Sequence, residues 1–234
     1  ATVGSFTLGR LSARVGTGNI AQTFMNDEGA LDTLGTFWVD ARASVFSTEG
    51  YRYNTGTESF SGLITGGYQR GSSLFRFTAV GGNTKNQLGY FLVPKPLAEQ
   101  DPRTNINDTT DNDDFGQYVV MLEWLKSWSQ SSLSLKGYYG SAGGDFYSGF
   151  RDSAGTLTQI NYPLRNEHAG AMAQYDVEVN DAFSLTGGLH LYRFWRRNWE
   201  TVMPEDESPY YDDRTVKDEI SAFVKGRYDL DRLR

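Results

Sequence analysis

The stretch from His168 to Trp195, HAGAMAQYDVEVNDAFSLTGGLHLYRFW, alternates so regularly that it admits no helix. Odd positions from Ala169 to Val179 carry Ala, Ala, Ala, Tyr, Val and Val, and even positions from His168 to Glu178 carry His, Gly, Met, Gln, Asp and Glu. A period of two puts successive side chains on opposite faces of a strand. After Asn180-Asp181-Ala182 the alternation resumes, with Phe183, Leu185, Gly187, Leu189 and Leu191 opposing Ser184, Thr186, Gly188, His190 and Tyr192. The spacing predicts two long antiparallel strands joined by a tight turn, apolar on one face and polar on the other.

The pattern recurs. It predicts strands over 4–15, 36–47, 59–69, 73–82, 115–127, 132–141, 168–179, 183–195 and 216–228. In the second, Phe37, Val39, Ala41, Ala43 and Val45 oppose Trp38, Asp40, Arg42 and Ser44. In the last, Ile220, Ala222, Val224, Gly226 and Tyr228 oppose Glu219, Ser221, Lys225 and Arg227, with Phe223 the one misfit. Connectors 69–73, 127–132 and 180–182 are tight, whereas 83–114, 142–167 and 196–215 read as long loops, so short and long lie at opposite ends. Segment 16–35 breaks the scheme: a short turn is due there, and the interval reads as an insertion or a second pairing.

Strands of about 12 residues at ~3.3 Å each span ~40 Å, or ~30 Å of height at a tilt of ~40°. That is the thickness of a hydrocarbon core, and about twice the length of an ordinary soluble strand. The expectation is an all-β chain, an antiparallel transmembrane β-barrel showing about nine strands of a larger barrel, as one domain over 1–234 with no plug domain. Tyr68, Trp124, Trp128, Phe183 and Tyr228 beside the tight turns, and Phe46, Tyr51, Tyr139, Tyr192 and Trp195 beside the long loops, predict two aromatic girdles.

Composition narrows the classes. A formal charge of −7 without a basic stripe excludes a nucleic-acid partner, because displacing counterions from phosphates takes clustered Lys and Arg. There is no cysteine, hence neither disulfide nor thiolate metal site. Apolar runs reach about five residues, far below the ~18 of a membrane helix. The start, ATVGSFTLGR, shows no basic region followed by an apolar one, and the chain reads as mature or truncated.

Candidate chemistry is sparse. VGTGNIA, Val15–Ala21, matches a dinucleotide-binding turn in its glycines, but no helical periodicity follows, and no cofactor is expected. DTTDNDDFG gathers Asp108, Asp111, Asp113 and Asp114, yet counting from Asp111 the calcium-loop pattern puts Leu122 where a bidentate carboxylate belongs, and no metal is expected. No G-x-S-x-G or Ser, His and acid grouping suggests catalysis, and the chain reads as no enzyme. His168 and His190 fall on polar faces. The ligand-binding candidates are His190, Tyr192, Trp195, Arg196, Arg197 and Trp199, where imidazole, cations and aromatics at the mouth of a long outer loop suit an anionic ligand.

GSFTLGRLSARVGTG, FWVDARASVFSTEGYR and SLFRFTAVGGNTKNQLGYFLVP resemble, in that order, the early barrel strands of TonB-dependent outer-membrane receptors. PLAEQDPRTN before DNDDFGQYVVMLEW, then YYGSAGGDFY, the 168–194 hairpin and YYDDRTVKDEISAFVKGRYDL are similar to successive later strands. The resemblance implies a plugged barrel of about 22 strands in a Gram-negative outer membrane. It also implies active import of a scarce nutrient such as a ferric chelate, energised through the TonB complex, with membrane lipid around the barrel and a lipoprotein as a possible family partner. The chain shows no TonB-contact segment. A docking barrel within a larger outer-membrane complex and a passive porin are the alternatives.

Overall fold

The computed structural model describes residues 1–203 and 206–229. Twelve strands form one antiparallel sheet: β1 (Thr2–Val3), β2 (Gly9–Gly16), β3 (Ile20–Met25), β4 (Leu31–Thr48), β5 (Thr57–Arg70), β6 (Ser73–Gln87), β7 (Asn112–Ser127), β8 (Ser131–Arg151), β9 (Leu157–Asn161), β10 (Leu164–Asn180), β11 (Phe183–Met203) and β12 (Asp206–Tyr228). One short helix, α1 (Lys95–Gln100), lies between β6 and β7. The expected count of about nine is corrected to twelve, because three short strands, β1, β3 and β9, accompany nine long ones that each overlap an expected segment.

Two of the short strands continue long ones. β2 pairs with Asp40–Ser47 of β4, and β3 pairs with Leu31–Phe37 of the same strand. Together they make one arm broken at Thr17–Asn19, where Gly18 takes a positive φ of 64°. Segment 16–35 is therefore the foot of a hairpin closed by Asn26–Ala30. In that turn the Asn26 side chain accepts the amides of Glu28 and Ala30, and Gly29 sits at φ 77°. Likewise β9 and β10 share one register against β8, from Leu157↔Arg151 to Leu164↔Gly144, interrupted only at Tyr162-Pro163 because proline has no amide for the ladder.

The expected long loops 142–167 and 196–215 are corrected too: most of each is strand. Their alternation is unreadable because neither SAGGDFYSGF nor RRNWETVM has a continuous apolar face. Among the described residues only 88–111 is a long connection, and it carries α1. Residues 4–8, expected as strand, form a turn with Phe6 and Thr7 at positive φ, the Phe6 ring edge-on to Tyr51 at 5.4 Å.

Register makes the two faces coherent across the whole sheet. Lateral rows such as Val39–Gly66–Phe77–Leu122 and Leu135–Ala173–Leu189–Ala222 occupy one face. No described residue covers it: Val39 is 39% exposed, Leu189 44% and Val224 81%. Among the described residues Ala182 is the only Ala, Val, Ile, Leu, Met or aromatic side chain that is buried. The accessible surface of 15905 Å² exceeds by about half the ~10,500 Å² of a water-soluble monomer of this mass.

Phe37, Tyr68, Phe75 and Trp124 line up across four strands at the tight-turn end of the apolar face, with Phe183 beside Tyr228 further along. At the other end Tyr139 and Trp195 share that face, but Phe46 and Tyr192 stand on the polar one. Their registers, Phe46↔Arg10 and Tyr192↔Glu219, correct their place in a girdle.

The sheet is open. β12 pairs only with β11, and β2 pairs only with β1 and β4, so the expected separation of segments 4–15 and 216–228 holds among the described residues.

Candidate functional site on the polar face

The polar face is a lattice of cross-strand partners. Arg14 meets Asp40 at 2.8 Å, and Glu123 sits between Arg76 and Lys136 at 3.1 Å from each. Asp176 accepts the Thr186 hydroxyl at 2.7 Å and the Gln174 amide at 3.0 Å. Charges on a single-layer sheet are neutralised by neighbours one strand away, since opposed Cβ atoms lie within about 5.5 Å.

Within this lattice four rings form a closed circuit. Tyr138 (β8), His168 (β10), Tyr192 and His190 (both β11) succeed one another with centroids 6.0–6.2 Å apart. The Tyr138 hydroxyl hydrogen-bonds His190 Nε2 at 2.7 Å, two strands away. Two glycines permit it. Gly170 lies opposite both Tyr138 and Tyr192, and a Cβ there would collide with the Tyr138 hydroxyl; a Cβ on Gly140 would collide with the His168 ring. The circuit presents two imidazoles and two phenols side by side, a surface that donates and accepts hydrogen bonds and stacks on flat groups. Glu219 lies directly across from Tyr192 and is held by Lys217 at 3.0 Å.

The connection 88–111 roofs the same face at the end away from the tight turns. Tyr90 packs on Phe91 and Phe146, its hydroxyl 2.9 Å from Ser148, and Phe146 packs on Tyr162. Asp111, 1% exposed, accepts Asn107 Nδ2 at 2.8 Å and the Gly149 amide at 2.6 Å, supplying an acceptor where β7 has ended and β8 goes on. Asp108 binds Arg151 at 2.6 Å, and that guanidinium, with the Thr110 amide, holds its carboxyl below the usual carboxylate range. Arg103 reaches back to the Tyr51 carbonyl and stacks 4.7 Å over Tyr53.

The six ligand candidates divide by parity. His190, Tyr192 and Arg196 stand on the polar face, while Trp195, Arg197 and Trp199 stand on the apolar-face side. The structure brings His190 and Tyr192 together and adds Tyr138 and His168. It separates Trp195, Arg197 and Trp199, which start no loop but extend β11. Arg197 stacks on Trp199 at 4.5 Å and pairs with Asp212 at 2.9 Å.

The aspartates of 108–114 do not converge: Asp113 takes Asn86, and Asp114 takes Asn83 and Lys85. Among the described residues no three His, Asp or Glu side chains could hold a metal ion. VGTGNIA forms the corner between β2 and β3, with no helix after it. What sequence reading missed was Tyr138 and the glycine vacancies; the signal is a glycine opposite two tyrosines, visible only once register is known. No known family model matches the sequence, and no curated protein matches it.

Proposed function

We propose that the chain is part of an outer-membrane β-barrel acting as an active transport receptor, with its apolar face toward lipid and its polar face toward the lumen. The carrying observation is that the mid-strand rows of one face, Val39–Gly66–Phe77–Leu122 and Leu135–Ala173–Leu189–Ala222, are apolar and exposed, while Arg14–Asp40, Arg76–Glu123–Lys136 and Asp176 stand on the other. One ion pair, Arg193–Asp218, shares the apolar face above Leu191. In water so much exposed apolar surface would be costly; in a bilayer it is solvated. Nine long strands whose outer edges, among the described residues, are paired only at Gly9 and Arg10 support a larger, closed barrel, because an unpaired amide in hydrocarbon costs several kcal/mol.

A ligand such as a ferric chelate would meet the Tyr138, His168, His190 and Tyr192 circuit beneath the 88–111 roof. Energy would come from TonB, and a lipoprotein partner belongs to the same family reading. Uptake of radiolabelled ferric chelates by iron-starved cells, with and without the protein and with and without TonB, tests it. Uptake is expected to require both. Uptake that ignores TonB points to a passive porin, and an outer-membrane location with no uptake points to a docking barrel; either sinks the receptor reading.

A further inference from the structure

We propose that Arg165, Arg197 and Arg214 form a binding site for the phosphate groups of a membrane lipid, an inference that rests on the apolar face meeting the bilayer. The register places them in one row: Arg165 on β10 lies opposite Arg197 on β11, which lies opposite Arg214 on β12. All three stand on the face that, past the Arg193–Asp218 pair, carries Ala173, Leu189 and Ala222 lower down the same strands. Like charges directly opposite one another on a sheet repel. Among the described residues the carboxylate that pairs with the row is Asp212, one row along opposite Trp199, shared by Arg197 at 2.9 Å and Arg214 at 3.0 Å and held by them below its usual range.

Arg165 is exposed and has no ion-pair partner among the described residues. Glu167, two residues further along, accepts the Tyr139 hydroxyl at 3.0 Å instead. Three guanidiniums against Asp212 and Glu167 leave an excess of one positive charge among the described residues, with fork-shaped donors, which suit phosphate oxygens.

Height selects the source of the phosphate. From Phe183 in the lower aromatic band to Trp195 is twelve residues, ~40 Å along a strand and ~30 Å across a bilayer at ~40° of tilt. Arg197 lies two residues beyond Trp195, ~5 Å higher, which is headgroup depth. Trp195 and Trp199 flank it on the same face, as interfacial tryptophans do.

The test uses the full-length protein in detergent micelles, titrated with diphosphorylated lipid A, its dephosphorylated form and inorganic phosphate, and read by native mass spectrometry. Diphosphorylated lipid A is expected to bind tightest. Arg165→Gln should weaken it roughly fivefold, and the triple Gln variant roughly 100-fold, with dephosphorylated lipid unaffected. Arg165→Gln removes no ion pair, so its result stands even if the triple variant fails to fold. Unchanged affinity in Arg165→Gln, or inorganic phosphate competing as well as the lipid, overturns the site. Leu189→Cys, labelled with a fluorophore after any cysteine outside these 234 residues has been replaced by serine, checks the premise separately. Quenching by brominated lipid with unchanged affinity in the Arg variants fails the site alone, whereas absence of quenching fails the orientation beneath it.

Discussion

At the scale of single residues, glycine does what a side chain would prevent. Gly170→Ala is expected to drive the Tyr138 ring off His190 and to cost about 1–3 kcal/mol in a urea titration of refolding into lipid. Tyr138→Ala removes the obstacle, so the double variant should be no worse than Tyr138→Ala alone; additive costs would contradict the contact. Phe223, the misfit of the sequence pattern, follows the same rule, since it leans over Gly188, where a Cβ would strike its ring. Orientation predicts a second contrast: Leu189→Arg should cost about 2–4 kcal/mol in that titration and Gln174→Arg far less, because a charge in hydrocarbon loses hydration and finds no partner. Equal costs would refute the facing. The Asp108–Arg151 pair predicts a pH dependence. Its carboxyl is lowered in the folded state, so its contribution is present above the ordinary value of 3.8 and is lost as pH falls below that, through the lowered value. Amide exchange over 108–111, measured from pH 6 down to about pH 2 and corrected for intrinsic rate, should show protection lost below about pH 4. Asp108→Asn should flatten that step, and a step of equal size in the variant would assign it elsewhere.

Among elements, the turns at opposite ends of the sheet repeat one design. Asp152–Thr156 copies Asn26–Ala30: the first side chain accepts the amides of the third and fifth residues, and the fourth is a glycine at positive φ, 84° in Gly155. Gly155→Val is expected to cost about 1–2 kcal/mol by urea titration and Ala154→Gly much less; equal costs would mean the backbone relaxes. These turns also explain what could be read beforehand. The core of each long strand was legible because one face is apolar and the other polar, which imposes strict alternation, as in 168–179 and 36–47. Beyond those stretches neither face is apolar, so GGDFYSGF and RRNWETV carry no period, and strand reads as loop. Asn26-Asp27-Glu28-Gly29 was a readable turn hidden by the assumption that one interval holds one connection. The ring circuit was half legible: parity put His168 and His190 on the polar face, but which rings meet depends on register between strands distant in sequence, and no local pattern encodes it.

For the whole molecule, the directions of the two edges carry a consequence of their own. Both β2 and β12 run from the roofed end toward the tight turns, so neither can lie directly against the other in an antiparallel wall, whether in one copy or between two. Whatever neighbours β12 must run the opposite way, and β1 already offers β2 two residues of such a neighbour, opposite Gly9 and Arg10. Any antiparallel closure therefore adds an odd number of crossings to the nine long ones and brings the total to an even sum. Disulfide scanning from Ile220→Cys in the full-length protein should trap a segment of opposite polarity, and trapping Leu11→Cys or Val15→Cys directly would refute the count. Parity, fixed by the edges already in view, thus constrains a wall whose remaining strands are not.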